Sequence, residues 1–276
     1  MGRRYEDLVF VSFGTGPEWV QATCRLENSI IKNFPGASVF IKNQNWLYGS
    51  ELYINNKEFY SKFKEGFGLW TWKPLLIKEA FAYFPEARYF IYLDVGCELN
   101  MNPISQGRFE EYLNFTNEKG ALAFETGYFE VDFTSKFTLN ALGFQDNSQI
   151  QIAATAIFFR NTSYVNQFVD EWLSAMTKDN FSLTVGENNV ENSSKFFSEH
   201  RHDQSVLSLL WRRTSFGILK NELYWGPNWE DGKEFPIFAT RNRLYVAQSS
   251  NFFIKIFFRL LRRILIVLTM RSYTVV

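Results

Sequence analysis

The most constraining feature of the chain is its opening order of a strand, a Gly-rich turn, a helix and a second strand. Leu8-Val9-Phe10-Val11-Ser12-Phe13 is a short apolar run that ends in Gly14-Thr15-Gly16-Pro17. Such a run, closed by turn residues, reads as a buried strand. A helix is expected from Glu18 to Lys32, before Phe34-Pro35-Gly36, and Ser38-Val39-Phe40-Ile41 reads as the next strand. Joining strand to strand through a helix implies a parallel sheet. The predicted class is therefore α/β, with a mostly parallel central sheet flanked by helices.

Later segments repeat the theme. Asn43 to Lys64 reads as a loop with a short helix. Pro74 suits the first turn of a helix that runs through Phe81. Arg88 to Leu93 is the clearest central strand, and Ala121–Phe124 and Ile152–Phe159 read as two more. Thr162 to Met176 has Val165, Phe168, Val169 and Trp172 at helical spacing. Residues 177–199 are polar and rich in Asn and Ser, which predicts a mobile loop. An apolar helix follows from His202-Asp203-Gln204-Ser205 to Leu210, with Asp203 or Ser205 near its start as capping residues. The simplest partition is a catalytic domain over 1–250 and a C-terminal segment over 251–276.

Charge limits the partners. Lys+Arg and Asp+Glu are both 29, so no global field favours nucleic acid. The exception is the end of the chain. Placed on a helix, Lys255, Arg259, Arg262 and Arg263 fall within an arc of about 100°. Phe253, Phe257, Leu260, Leu261, Ile264 and Leu268 cover the other side. Four cations make a membrane span costly. The segment reads either as a basic amphipathic helix on an anionic membrane surface or as a terminal helix docked on the core. Cys24 and Cys97 read as two reduced, buried thiols. The start of the chain lacks the apolar stretch of a signal peptide, so a cytoplasmic protein, peripheral at a membrane, is expected.

Ligands of parallel α/β sheets bind beyond the carboxyl ends of the strands. Three polar clusters are expected there: Thr15-Gly16, Asp94-Val95-Gly96 and His200-Arg201-His202-Asp203-Gln204. Asp94 either holds a divalent metal at a diphosphate or caps the next segment. Lys73 either pairs with phosphate near a helix start or lies on a solvated face. Trp70 and Trp72 either stack on a base or sugar or pack in the core. His200 and His202, the only histidines, either bind phosphate, metal or a hydroxyl, or are structural. Glu125, directly after Ala121–Phe124, is a further polar candidate at a strand end.

Gly66-Phe67-Gly68-Leu69-Trp70-Thr71-Trp72-Lys73-Pro74, Tyr92-Leu93-Asp94-Val95-Gly96-Cys97 and His200 to Ser205 together resemble a group of bacterial and viral glycosyltransferase-like proteins. The three segments lie within residues 8–215. The resemblance implies a GT-A, Rossmann-like nucleotide-binding fold. It also implies transfer of a sugar, a hexose among the expectations, from a nucleotide sugar to a hydroxyl of a glycan or lipid-linked acceptor, as in polysaccharide biosynthesis. Under it, Asp94, Asp203 and Gln204 are the catalytic candidates, and Thr15, Gly16, Trp72, Lys73, Asp94 and Gly96 the donor-binding ones. More remotely, the Asp-x-Gly segment is similar to the Asp-x-Asp metal motif of glycogenin-like transferases. Gly96 stands where the second Asp would be, so Mn²⁺ or Mg²⁺ is expected on Asp94 with Glu98 and His202. Glu98 shares a side with Asp94 if the segment stays extended. The alternative is a non-catalytic nucleotide- or glycan-binding relative that lost its second carboxylate. No residue decides between retention and inversion, and no general base is assigned.

Overall fold

A computed structural model describes residues 5–144, 148–186, 195–226 and 229–245. The C-terminal segment 251–276, with its expected amphipathic helix, lies outside the described residues. In chain order the first elements are β1 (Leu8–Phe13), α1 (Val20–Asn33), β2 (Ser38–Lys42), α2 (Gln44–Tyr48), α3 (Glu51–Asn55), α4 (Lys57–Lys62), α5 (Gly66–Leu69), α6 (Trp72–Tyr83) and β3 (Tyr89–Leu93). Then come β4 (Glu98–Leu99), α7 (Pro103–Lys119), β5 (Ala121–Phe129), α8 (Glu130–Phe133), α9 (Lys136–Ala141), β6 (Ile150–Arg160), α10 (Ser163–Val185), α11 (His202–Trp211), β7 (Gly217–Leu219) and β8 (Ile237–Phe238).

The main sheet has the order β2-β1-β3-β6-β5-β7, and β4 and β8 form a second, two-stranded sheet. β1 is parallel to β2 and to β3, and β5 is parallel to β7. β6 runs antiparallel to both β3 and β5, so it is the reversed strand in a mostly parallel sheet. The sequence did not reveal that reversal, because a strand buried on both faces reads the same in either direction.

Side-chain alternation divides the core. Val9, Val11, Phe90 and Tyr92 face the layer that holds Leu76 and Ile77 of α6, Trp172 of α10 and Leu207 of α11. Leu8, Phe10, Tyr89 and Ile91 face Leu26 and Ile30 of α1 and Phe109 and Tyr112 of α7. This parity has a consequence for chemistry. Asp94 is two residues beyond Tyr92, on the side of α6, α10 and α11.

Three expectations change. The stretch 43–64 forms three short helices, not a loop with one. Ser50 caps the second of them, accepting from Tyr53 N at 3.2 Å. The loop expected from 177 begins later, since α10 is continued to Val185 across a left-handed turn at Asp179, Asn180 and Phe181. The buried Phe181 ring stacks on Phe59 at 3.7 Å, which holds that turn against the core. Cys24 is exposed, whereas Cys97 is buried as expected. Among the described residues no helix is long and apolar enough to cross a membrane.

Candidate active site

The segment Gly66 to Trp70 folds as a left-handed helical turn. All five residues have positive φ, including Phe67 at 54°, Leu69 at 55° and Trp70 at 58°. Left-handed backbone costs roughly 1–2 kcal/mol per non-glycine residue, so the two glycines lower the strain. Gly68 is required for a second reason. A Cβ there would lie 2.2 Å from Cε1 of Tyr60. The turn ends by delivering Trp72 and Lys73 to the start of α6. Trp72 stacks on Phe13 at 4.1 Å, donates from Nε1 to Gly66 O at 2.8 Å and is only 3% exposed. It packs in the core, with no ring face left open for a base.

Lys73 is buried as well, at 2% exposure. Its ammonium lies 2.6 Å from Asp203 Oδ2 and 3.4 Å from Asp94 Oδ1, and donates to Ala154 O at 3.0 Å. It also sits 5.0 Å above the Tyr92 ring. Burial alone would push its pKa down, but Asp203 and Asp94 outweigh it, and the ammonium is held above its usual value. Lys73 is thus neither on a solvated face nor open to a phosphate. It is the internal counter-ion of two carboxylates.

Asp94 follows the last residue of β3. Its Oδ1 accepts from Tyr92 OH at 2.8 Å, and its backbone N–H donates to Thr155 O at 2.8 Å. Burial, then Asp94, pushes the Tyr92 phenol well up, so it stays a donor. The Asp94 side chain is 40% exposed, against 3% for Lys73 and 8% for Asp203. The cluster therefore opens to solvent at Asp94, with one carboxylate oxygen held from behind. Burial pushes the Asp203 carboxyl up, and the Lys73 ammonium opposes that shift.

Asp203 does not cap α11. It turns inward to Lys73, and Ser205 Oγ instead accepts from Arg201 N at 3.1 Å. Gln204 is held at both ends of its amide. Its Oε1 accepts from Ala154 N at 3.2 Å and its Nε2 donates to Gln151 Oε1 at 2.6 Å. Gln151 in turn donates to Glu130 Oε1 at 3.1 Å. Gln204 thus anchors α11 to β6.

The other expected residues are placed as follows. Thr15 is 8% exposed and donates to Gln44 Oε1 at 3.0 Å. Gly16 has a φ of 85° beside Glu18. Gly96 is a packing glycine: a Cβ there would lie 2.8 Å from the Arg241 Cα. Its carbonyl accepts from Asn242 N at 3.0 Å. Glu98 does not extend from Asp94, because the chain turns where Cys97 N donates to Asp94 O at 2.8 Å. Glu98 instead pairs with Phe238 in the second sheet and accepts from Thr240 Oγ1 at 2.7 Å. Among the described residues no group of three or more His, Cys, Asp or Glu side chains is placed to hold a metal, so Asp94, Glu98 and His202 do not gather into one ligand set. Glu125 lies in an internal ion pair with Arg212 at 3.4 Å.

Arg25 and Tyr92 were not legible as site residues. Arg25, buried in α1, donates to Cys97 O and Asn242 O at 3.1 Å each and also reaches Leu244 O. It ties the Asp94–Cys97 turn to the segment 241–245. A buried Arg inside an amphipathic helix carries no local signal of that role. A depression of about 700 Å³ lined by Tyr5, Gln106 and Glu110 lies along α7 and contains none of these residues.

No family model and no curated protein matches the chain. Among solved structures, it is similar to the crystal structure of a glycosyltransferase involved in the glycosylation of the major capsid of PBCV-1. That comparison has a TM-score of 0.49 and 10% identity, and covers 86% of this chain and 94% of the other.

Proposed function

We propose that this chain is a glycosyltransferase of the GT-A type that moves a sugar, a hexose in our reading, from a nucleotide sugar to a hydroxyl of a glycan or lipid-linked acceptor. One observation carries the proposal. Three segments far apart in sequence meet through Lys73, Asp94 and Asp203 at the carboxyl end of β3. That edge is where parallel α/β sheets bind ligands, and these are the segments on which the family resemblance rests.

A divalent cation, Mn²⁺ or Mg²⁺, fits this arrangement in one mode. Such ions are commonly held by one or two carboxylates together with substrate phosphates, without a protein cage. Asp94 is the residue that would hold it. When bound, the cation would supply charge neutralisation of the leaving diphosphate. The exposure of the Asp94 carboxylate, the open member of the cluster, supports this. Lys73 and Tyr92 serve as positioning residues on Asp94 Oδ1, and Asp203 in turn holds the Lys73 ammonium.

Gly96 supports the non-catalytic alternative only weakly, because its contact with Arg241 gives it a packing reason of its own. The basic segment 252–267 supports a peripheral location at an anionic, cytoplasm-facing membrane, where lipid-linked acceptors lie.

The test is to incubate the full chain with UDP-, GDP- and dTDP-sugars and glycoside acceptors, with Mn²⁺ or with a chelator. Release of nucleoside diphosphate coupled to a new glycoside is the expected result. Donor binding without turnover across the panel would favour the non-catalytic reading. Loss of vesicle binding on deletion of residues 252–276 tests the membrane proposal.

A further inference from the structure

The two histidines use their ring nitrogens in opposite ways. Ser135 N donates to His200 Nδ1 at 3.2 Å, so that nitrogen is unprotonated, and Nε2 must donate to Leu183 O at 3.0 Å. Both nitrogens of His200 are used, and the ring is buried. His202 is the reverse. Its Nδ1 lies 2.9 Å from Thr184 O, and a carbonyl can only accept, so Nδ1 carries the hydrogen. Nε2 is then the nitrogen that can offer a lone pair, and no hydrogen bond to it is found among the described residues.

His202 is held in this state at a cost. Its φ is 42°, in the left-handed region, and its ring stacks at 6.2 Å and 24° on Trp70, whose φ is 58°. Two strained backbones from distant segments thus meet face to face. Strain of this kind persists where surrounding structure enforces it, and it concentrates at functional sites. Both rings are partly exposed. The neighbour Asp203 belongs to the Lys73–Asp94 cluster, and His200 lies edge-on at 5.4 Å.

We infer that His202 Nε2 accepts the hydrogen of the acceptor hydroxyl beside the Trp70 ring, and takes that proton during transfer. The inference rests on the transferase reading. In the step, the acceptor oxygen forms a bond to the anomeric carbon of the donor. The bond from that carbon to the diphosphate oxygen breaks, and its electron pair leaves with the nucleoside diphosphate. The hydroxyl proton passes to Nε2 and then to solvent. A single displacement of this kind inverts the anomeric configuration.

The discriminating variant is His202→Asn. Asn tolerates positive φ, and its amide can still donate to Thr184 O, but it has no counterpart of Nε2. With UDP-, GDP- and dTDP-sugars and p-nitrophenyl glycosides as probes, we expect the transfer kcat to fall about 100-fold or more. The donor KM should stay near wild type, and the wild-type product should show inversion by NMR. Wild-type transfer by His202→Asn would overturn the assignment while leaving the transferase reading intact. Retention in the wild-type product would overturn it independently of any variant. A wild-type chain that turns over no donor would sink both.

Discussion

Lys73, from the start of α6, and Asp203, from the first turn of α11, form an ion pair of 2.6 Å across the face of the sheet. The pair lies under Asp94 and away from water, at 3% and 8% side-chain exposure. Removing one partner leaves an uncompensated charge in a low dielectric, which typically costs about 3–5 kcal/mol. Lys73→Met should therefore be strongly destabilised in urea denaturation. Lys73→Met combined with Asp203→Asn should recover part of that loss but not turnover, because Asp94 Oδ1 loses its ammonium and keeps only the Tyr92 hydroxyl. Equal stability of the two variants would show that the pair is not coupled.

Asp94→Ala should behave differently. The side chain is 40% exposed and loses a hydrogen bond from Tyr92 and a long contact to Lys73. The expected stability loss is about 1 kcal/mol. Turnover should fall about 100-fold or more, the loss of a few kcal/mol of charge stabilisation. Unchanged turnover in a folded Asp94→Ala protein would reject the site.

Gly96→Asp would recreate an Asp-x-Asp pattern by sequence. The structure argues that it fails as a gain of function. The new Cβ would lie 2.8 Å from the Arg241 Cα, a backbone atom that cannot swing away. A destabilisation of about 1–3 kcal/mol is expected, as for other overpacked sites. Calorimetry with Mn²⁺ should show no tighter binding than wild type. Tighter binding without loss of stability would contradict the packing reason for Gly96.

His200 supplies a pH dependence. Burial, followed by the nearby His202, lowers its pKa from 6.5 to about 3. Between those values the unfolded chain takes up a proton that the native state refuses. Its contribution is thus fully present above pH 6.5 and is lost as the pH falls toward 3. The slope from this one group is about 1.4 kcal/mol per pH unit. In His200→Gln the acid limb of stability against pH should be shallower by that amount. An unaltered limb would show that His200 titrates normally.

The sheet was largely legible because its signals are local. β1 and β3 are short apolar runs closed by polar residues, and both fall within a residue of where the pattern puts them. Asp94 was legible for the same reason, as a carboxylate at a strand end. The left-handed turn at Gly66 to Trp70 was not, although Gly66 and Gly68 mark it in hindsight. Periodicity says nothing about the sign of φ. Glu98 misled because its shared face with Asp94 assumed an extended chain, and one hydrogen bond from Cys97 N bends it.

By itself, then, the sequence determined the α/β order and the candidacy of Asp94 at the end of β3. Only the tertiary structure decided what each polar group faces. It turned Lys73 from a phosphate ligand into a buried counter-ion, Trp72 into core and Gly96 into a close contact with Arg241. It also separated two histidines that are alike in sequence, by giving one two partners and the other one. Hydrophobic patterning is written in neighbouring residues, whereas pairing, tautomer and exposure are set by atoms that the fold brings from far along the chain.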